Sequence, residues 1–206
     1  METLTEILLK DGLILSADQV FKGDMLIQNG KIIKIDTGIS ASPRSLVVNA
    51  SGKWIWPGGI DPHVHMELPS PAGNSSDDFY SGSKAAISGG TTAIIDFVTP
   101  ARGESLVDAF KERENLAKRS LVDYALHVSP TWWGTGSARE MEILVREHGV
   151  TSFKCYMAYQ ETVGIHAETL EKVMKTAQKL GALVTLHCGD DELIRKNIRQ
   201  FLSEEK

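Results

Sequence analysis

Apolar residues in the first 56 positions fall in short runs, and none of these runs has the spacing of a helix. Asn29-Gly30 lies between two runs and predicts a tight β-hairpin, because both residues tolerate positive φ. We therefore predict a small β-sandwich or sheet over residues 1–56. Its candidate strands are Leu4–Leu9, Leu13–Leu15, Met25–Gln28, Lys31–Ile35, Leu46–Val48 and Trp54–Trp56.

After Pro57-Gly58-Gly59 the pattern changes, and strands alternate with amphipathic helices as far as residue 206. This alternation predicts five βα units in a parallel sheet with right-handed crossovers. An open doubly wound sheet and most of a closed (β/α)8 barrel fit equally well. The predicted strands are Ile60–His65, Thr92–Val98, Tyr124–Val128, Thr151–Met157 and Leu183–Cys188. The predicted helices are Asp77–Ser88, Ser105–Arg119, Ser137–His148 with a Ser137-x-x-Glu140 capping box, Ala167–Leu180 and Asp191–Leu202.

Composition narrows the class of protein. The 206 residues are 42% hydrophobic, which is typical of a globular chain, and fall short of the roughly 250 of a complete (β/α)8 barrel. Lys and Arg number 22 against 27 Asp and Glu, without a basic cluster, so nucleic acid is not an expected partner. The start, Met1-Glu2-Thr3, does not resemble a secretory signal, and no apolar run is long enough for a membrane span. Two cysteines suit a reduced, cytoplasmic protein.

His63 and His65 stand two residues apart at the end of the first strand after Gly59. Because side chains alternate along a strand, both imidazoles should face one side, which in a barrel is the interior at its catalytic rim. Two neutral imidazoles at this spacing form a metal-binding pair. His-x-His also occurs by chance, but the rigid segment beginning at Pro57 strengthens the interpretation. Asp61 has the same parity, and we expect it to be a structural hydrogen-bond acceptor.

Lys154 lies near the end of the fourth strand, among apolar neighbours that should bury part of its side chain. Burial disfavours the charged form of an amine, and a neutral amine here could take up carbon dioxide to give a carbamate that bridges two metal ions. The alternative is a lysine that reaches solvent along its own stem. His187 closes the fifth strand at the same rim, where a core or capping role is the alternative. Four candidate ligands at one end of three strands favour a metal centre.

Strand parity argues against a rival zinc site at the cysteines. Cys155 and Cys188 each follow a candidate ligand by one residue, so we expect both to face the helices as buried apolar thiols. We expect the other histidines to have structural roles. The tryptophan pair could either line a pocket or simply pack. These residues are His127 in mid-strand, His148 at a helix end, His166 before a helix, and Trp132-Trp133.

Four segments resemble the dihydropyrimidinase and hydantoinase family of cyclic amidohydrolases. The resemblance runs from about residue 4 to the end of the chain. Tyr159, five residues after Lys154, is closer to the pattern of hydantoinases and dihydropyrimidinases than to that of dihydroorotases or allantoinases. The segments are Pro57–Pro69, Gly89–Thr92 with Ile95–Phe97, Phe153–Tyr159 and Val184–His187.

The resemblance implies the amino-terminal part of a metal-dependent hydrolase TIM (β/α)8 barrel, with about five βα units over 57–206, preceded by a β-sandwich segment over 1–56. It also implies two divalent metal ions, usually zinc. His63 and His65 would bind one ion, carboxylated Lys154 would bridge both, and His187 would bind the other. Tyr159 would donate to the oxyanion formed as a small cyclic amide, a dihydropyrimidine or hydantoin, is attacked. A homo-oligomer, such as a homotetramer, is expected.

The chain departs from the family pattern in its extent. The family has a further histidine on strand six and a proton-carrying aspartate on strand eight, and both would lie beyond Lys206. We therefore expect the isolated chain to be inactive, whether it is a truncated form, half of a split enzyme or a short gene product. A non-catalytic scaffold related to dihydropyrimidinase is one alternative, although the four retained ligands argue against it. An allantoinase or dihydroorotase type of hydrolase is another.

Overall fold

The computed structural model describes residues 6–69 and 73–204, and the chain divides into two compact units between Gly58 and Gly59. Residues 4 and 5 of the first predicted strand lie outside the described residues. Within the described ranges, no helix combines the length and apolar character needed to cross a membrane.

The first unit is a single mixed sheet of five strands in the described residues, so the sheet is observed rather than the sandwich. The strand order is β3-β2-β1-β4. The strand β2 pairs antiparallel with both β1 and β3, whereas β4 and β5 both pair parallel with β1. The strands are β1 (Glu6–Leu15), β2 (Val20–Gln28), β3 (Lys31–Asp36), β4 (Leu46–Asn49) and β5 (Trp54–Ile55).

The polar segment from residue 10 to residue 12 does not break the first strand, contrary to our prediction of two strands. Asp11 takes a positive φ of 60°, and the pairing of β1 with β2 shifts register between Leu9 and Gly12. The segment is therefore a β-bulge within one strand. The predicted hairpin is confirmed, with φ of 49° at Asn29 and 76° at Gly30.

The second unit is a parallel sheet in the order β6-β7-β8-β9-β10, and the five predicted βα units are confirmed. Helices α2, α3 and α4 pack against one another in sequence. The strands are β6 (Gly59–Asp61), β7 (Thr91–Val98), β8 (Asp123–Val128), β9 (Ser152–Tyr156) and β10 (Leu183–His187). The helices are α1 (Phe79–Ser88), α2 (Leu106–Ala117), α3 (Ser137–His148), α4 (Ala167–Leu180) and α5 (Asp191–Ser203).

Alternate side chains of the parallel strands form the main core with the helices. Phe153 and Cys155 of β9 are fully buried in this core with Leu144 of α3 and Val173 of α4. Burial raises the pKa of the Cys155 thiol to about 12, as expected of an inert buried cysteine. The matching prediction for Cys188 is wrong, because β10 ends at His187 and the thiol beyond it is exposed.

The predicted capping box of α3 is also wrong. The N-cap is Gly136, which has no side chain, and the Ser137 hydroxyl accepts instead from the Gly134 amide at 2.9 Å. The Glu140 carboxylate accepts a hydrogen bond of 2.5 Å from the amide of Leu106, the first residue of α2. Glu140 thus caps a neighbouring helix rather than its own.

Candidate functional site

The side chains that point away from the helices lie on the second face of the parallel sheet, here called the open face. Phe97 of β7 lies beside His127 of β8 in the strand register, and Tyr156 of β9 lies beside His187 of β10. Lys154 shares the parity of Tyr156, whereas its neighbours Phe153 and Cys155 belong to the helix-side core. The residues on this face are Phe97, His127, Lys154, Tyr156 and His187, in strand order.

His63 and His65 lie beyond β6, which ends at Asp61, so the predicted strand through His65 is wrong. Pro62 has no N–H to continue the strand pairing, and the Asp61 carboxylate accepts a hydrogen bond of 3.1 Å from the His63 amide. Asp61 is thus the structural acceptor that we expected. The two imidazoles still lie together, with ring centroids 5.2 Å apart.

Phe97 lies at the centre of the first group of predicted ligands. The rings of His63 and His65 each have centroids 4.6 Å from the Phe97 ring. The Lys154 amine lies 5.8 Å from the centroid of the same ring. The structure therefore brings together three of the four predicted ligands around one phenyl ring.

His187 forms the second group, on the far side of Tyr156. Its ring centroid lies 6.0 Å from that of Tyr156 and 5.4 Å from that of Tyr159. The Lys154 amine lies 5.2 Å from the Tyr156 ring, so Lys154 and His187 both have Tyr156 as a neighbour. Across residues 6–69 and 73–204, no three His, Cys, Asp or Glu side chains converge as a metal-binding group. A centre built from the predicted set therefore depends on Lys154.

The chemistry of the first group fits a metal ion. The pKa of His65 is lowered, chiefly by burial, which favours the neutral imidazole that binds metals. Its Nδ1 atom is buried and has no hydrogen-bond partner within the described residues. Lys154 is only 7% exposed, and none of the ion pairs of residues 6–69 and 73–204 involves its amine. A buried amine without an anionic partner fits conversion to a carboxylated, metal-bound form.

His127 has the structural role expected of it. Its Nδ1 lies 2.5 Å from the Ser152 hydroxyl, and its Nε2 lies 3.2 Å from the carbonyl oxygen of Pro62. Its pKa is lowered, mainly by burial, which favours the neutral ring. The ring links β8 to β9 and to the segment before His63. His148 ends α3, and His166 is the N-cap of α4.

A buried ion pair that our sequence interpretation missed supports the histidine segment. Asp96 is fully buried on the helix side of β7 and accepts a hydrogen bond of 2.7 Å from the Met66 amide. Arg113 of α2 donates to Asp96 at 2.7 Å and also to the Met66 carbonyl. Both backbone groups of the residue after His65 are thereby fixed. The available signal was Asp96 itself, since a carboxylate within an apolar strand requires a cationic partner.

Tyr159, the predicted hydrogen-bond donor, lies just beyond β9 with 53% of its surface exposed. Its φ of 63° is in the left-handed region, and its amide donates to the Asp191 carboxylate at 2.8 Å. Trp132 and Trp133 both make packing contacts or hydrogen bonds within the second unit. The Trp132 indole donates to the Glu104 carbonyl at 2.8 Å, and Trp133 packs on the helix-side core.

Comparisons with known proteins found a family model, curated relatives and solved structures that are similar to this chain. Residues 54–206 match the model of the amidohydrolase family. The chain is 41% identical to dihydropyrimidinase of Dictyostelium discoideum over 197 residues. This aligned region covers 95% of this chain and 39% of the relative. The chain is 37% identical over 197 residues to dihydropyrimidinase-related protein 5 of Homo sapiens, covering 95% of this chain and 35% of that protein.

Among solved structures, a D-hydantoinase superposes with a TM-score of 0.92 at 33% identity, over 97% of this chain and 43% of that one. This likeness identifies the second unit as part of a (β/α)8 barrel, as predicted. The chain spans about two-fifths of the length of the relatives it matches, at 39% and 43% for the first of each kind.

Proposed function

Because this chain belongs to the amidohydrolase family, we propose that it forms part of an enzyme that hydrolyses the cyclic amide bond of dihydropyrimidines or hydantoins. One observation supports this most directly. His63, His65 and Lys154 meet around Phe97 on the open face of a parallel sheet, with His187 next along that face. The relatives that are named dihydropyrimidinase and hydantoinase support the substrate class.

In this proposal the site holds two divalent metal ions, with zinc expected. His63 and His65 would hold one ion, His187 would hold the other, and Lys154, as a carbamate, would serve as a ligand to both. The carbamate forms when the neutral Lys154 amine attacks carbon dioxide, so that an N–C bond is made and a proton is released. When bound, a metal pair lowers the pKa of water so that hydroxide is available near neutral pH.

Tyr159 contacts the substrate rather than the metal in this proposal. Its phenol is half exposed beside His187 and can donate a hydrogen bond to the amide oxygen as negative charge develops there. Phe97 and Tyr156 flank Lys154 with apolar rings, which limits the access of water to the amine. We further expect a cytoplasmic homo-oligomer that acts on a small molecule, and these two expectations stay predictions.

The state of Lys154 tests the proposal. The protein is loaded with zinc in bicarbonate enriched in carbon-13, and the carbamate is sought by nuclear magnetic resonance. We expect a carbamate signal that Lys154→Ala abolishes together with most of the bound metal. Lys172→Ala, which changes an exposed lysine of α4, is the matched control and should leave both unchanged. A metal-loaded protein with an unmodified Lys154 would contradict the proposed centre.

A non-catalytic scaffold is the second candidate function. The observation in its favour is the 37% identity with dihydropyrimidinase-related protein 5. The same measurement separates the two, because a scaffold has no need for a metal pair or a carboxylated lysine. Absence of zinc binding by the folded protein would favour the scaffold.

A further inference from the structure

The segment from residue 157 to residue 166, here called the Tyr159 loop, connects β9 to α4 and is folded tightly on itself. The amides of Thr162 and Gly164 both donate to the Tyr159 carbonyl at 2.9 Å, and the Ile165 amide donates to the Tyr156 carbonyl at 2.8 Å. Gly164 is required here, because a Cβ atom would lie 2.7 Å from the Gln160 amide nitrogen. This compact fold presents several backbone carbonyls to the loop after β7.

Tyr159 itself is held in an unfavourable backbone conformation. A φ of 63° brings the Cβ of an ordinary residue close to its own carbonyl group, and only glycine and asparagine adopt this region readily. Such a conformation persists when surrounding contacts fix it, and it is found often at functional sites. The contacts that fix Tyr159 are therefore of functional interest.

Arg102 makes one set of these contacts from the loop after β7, which lies 58 to 62 residues earlier in the chain. Its Nη2 donates to the Gln160 carbonyl at 2.6 Å and to the Gly164 carbonyl at 2.9 Å, and its Nε donates to the Thr162 carbonyl at 3.4 Å. Among the ion pairs of residues 6–69 and 73–204, none involves Arg102. The N–H donors of its planar guanidinium group therefore bind only backbone carbonyls in the described residues.

The loop that presents Arg102 is itself anchored. The buried Thr131 hydroxyl donates to the Pro100 carbonyl at 2.9 Å, and the Trp132 indole donates to the Glu104 carbonyl at 2.8 Å. The Glu104 carboxylate accepts from the Ala101 amide at 2.7 Å. Arg102 therefore projects from a segment fixed on both sides, and its guanidinium has a defined position.

Asp191 holds the opposite side of Tyr159. It is the first residue of α5, its side chain is 12% exposed, and its Oδ1 accepts the Tyr159 amide at 2.8 Å. Its Oδ2 accepts from Arg195 Nε at 2.5 Å, which orients the carboxylate. Tyr159 is thus held through its own amide on one side and through the carbonyls that follow it on the other.

We propose that Arg102 is a positioning residue, which together with Asp191 clamps the Tyr159 loop so that the phenol remains beside His187. Arg102 does not contact the reacting atoms in this arrangement and acts only through Tyr159. The inference rests on the proposed role of Tyr159 in amide hydrolysis. It predicts that loss of Arg102 slows turnover without loss of metal, because Arg102 contacts none of the proposed ligands.

The first test needs no catalysis. Amide hydrogen exchange of the 206-residue chain is compared between the parent protein, Arg102→Gln and Arg139→Gln, the last being a matched control on α3 where Arg139 pairs only with Glu142. We expect Arg102→Gln to accelerate exchange at Thr162, Gly164 and Ile165 by about tenfold or more, while the amides of β7 to β9 keep their protection. Asp191→Ala removes the opposite anchor and tests the same clamp if Arg102→Gln does not fold. Unchanged exchange in the loop would overturn the proposal.

The second test uses the active enzyme, assembled from this chain and the polypeptide that completes the barrel, with dihydrouracil as substrate. We expect Arg102→Gln to reduce kcat by about tenfold with zinc content unchanged, and to add nothing further in a Tyr159→Phe background. A merely structural role would give additive losses, which would overturn the proposal. If loop exchange responds to Arg102→Gln but Tyr159→Phe is fully active, the clamp stands and the proposed role of Tyr159 fails.

Discussion

At the scale of single residues, Phe97 explains how three of the predicted metal-binding side chains can share one small surface. Its ring offers no ligand of its own, but it contacts His63 and His65 and lies under the Lys154 amine. A flat apolar ring packs against the three groups without competing for their hydrogen bonds. The polar chemistry of this surface therefore belongs to the groups around the ring.

Tyr159→Phe separates the role of the phenol from that of the metal ligands. Because the hydroxyl is proposed to donate only to the developing oxyanion, its loss should lower kcat of the assembled enzyme by roughly 10² to 10³ and leave the zinc content unchanged. Metal analysis and steady-state kinetics on the same preparation measure both quantities. Tyr80→Phe, which alters an exposed tyrosine of α1, is the matched control and should be silent. Loss of zinc in Tyr159→Phe would assign the phenol to metal binding instead.

The alternation of side chains made several of these residues predictable. It placed Lys154 on the open face and Cys155 in the core, and both positions are observed. The predicted extent of the strands was wrong at His63 and at Cys188, where the strand has already ended. The end of a strand depends on which backbone groups find partners, and this is not contained in a two-residue period.

At the scale of secondary-structure elements, one buried carboxylate organises the first sheet. Asp24 of β2 accepts hydrogen bonds from the Lys10 amine at 2.7 Å, the Asp11 amide at 2.8 Å and the Ile39 amide at 2.9 Å. These contacts join the bulge of β1 to β2 and to the segment after β3. The hydrogen bond from Lys10, followed by that from the Asp11 amide, lowers the pKa of Asp24 to about 2.

Asp24→Asn should therefore change the acid stability of the protein. The pKa of Asp24 is lower in the folded state than its ordinary value of 3.8, so the ionised carboxylate stabilises the fold above that pH. This contribution is lost as the pH falls from about 4 to about 2. Urea unfolding across this range should show a steeper loss of stability for the parent than for Asp24→Asn. At neutral pH the variant should be less stable by about 1–3 kcal/mol, because the Lys10 amine and two backbone amides lose an anionic acceptor. Asp18→Asn, at an exposed position, is the control, and equal acid profiles for parent and Asp24→Asn would contradict the assignment.

The helices show which local signals were sufficient and which were not. The bounds of α4 agree with the prediction, because its apolar periodicity is regular and Gly181 ends it in the left-handed conformation, with φ of 71°. At α3, the Ser137-x-x-Glu140 pattern predicted a local cap, but Glu140 accepts instead from Leu106. The tertiary contact between α2 and α3 determined this hydrogen bond, and a local motif has no information about a partner 34 residues away.

At the scale of the whole molecule, much of the candidate site is open to solvent. His187 is exposed, and Leu183 on the same strand is 72% exposed. Within the described part of the chain, β6 and β10 are each paired on one side only, and α5 has no buried residue although it carries five large apolar side chains. These are Leu193, Ile194, Ile198, Phe201 and Leu202. Unpaired strand edges and exposed apolar helices favour association with another chain.

We therefore expect the 206-residue chain alone to be inactive on hydantoin and dihydrouracil and to self-associate. His187 is exposed, so water would compete with it for a metal ion. The described residues also contain no convergent group of three His, Cys, Asp or Glu side chains. The family resemblance also assigns proton transfer to an aspartate on an eighth strand, a step that contributes roughly 10² to 10⁴ to the rate. The described residues of the second unit form five strands. The assay measures hydrolysis with added zinc by the bare chain, and then by the same chain mixed with the carboxyl-terminal polypeptide of a dihydropyrimidinase. Activity should arise only in the mixture, and Lys154→Ala should abolish it there. Robust turnover by the bare chain would contradict the prediction. It would show that the residues of this chain complete the site and that one of its own carboxylates transfers the proton.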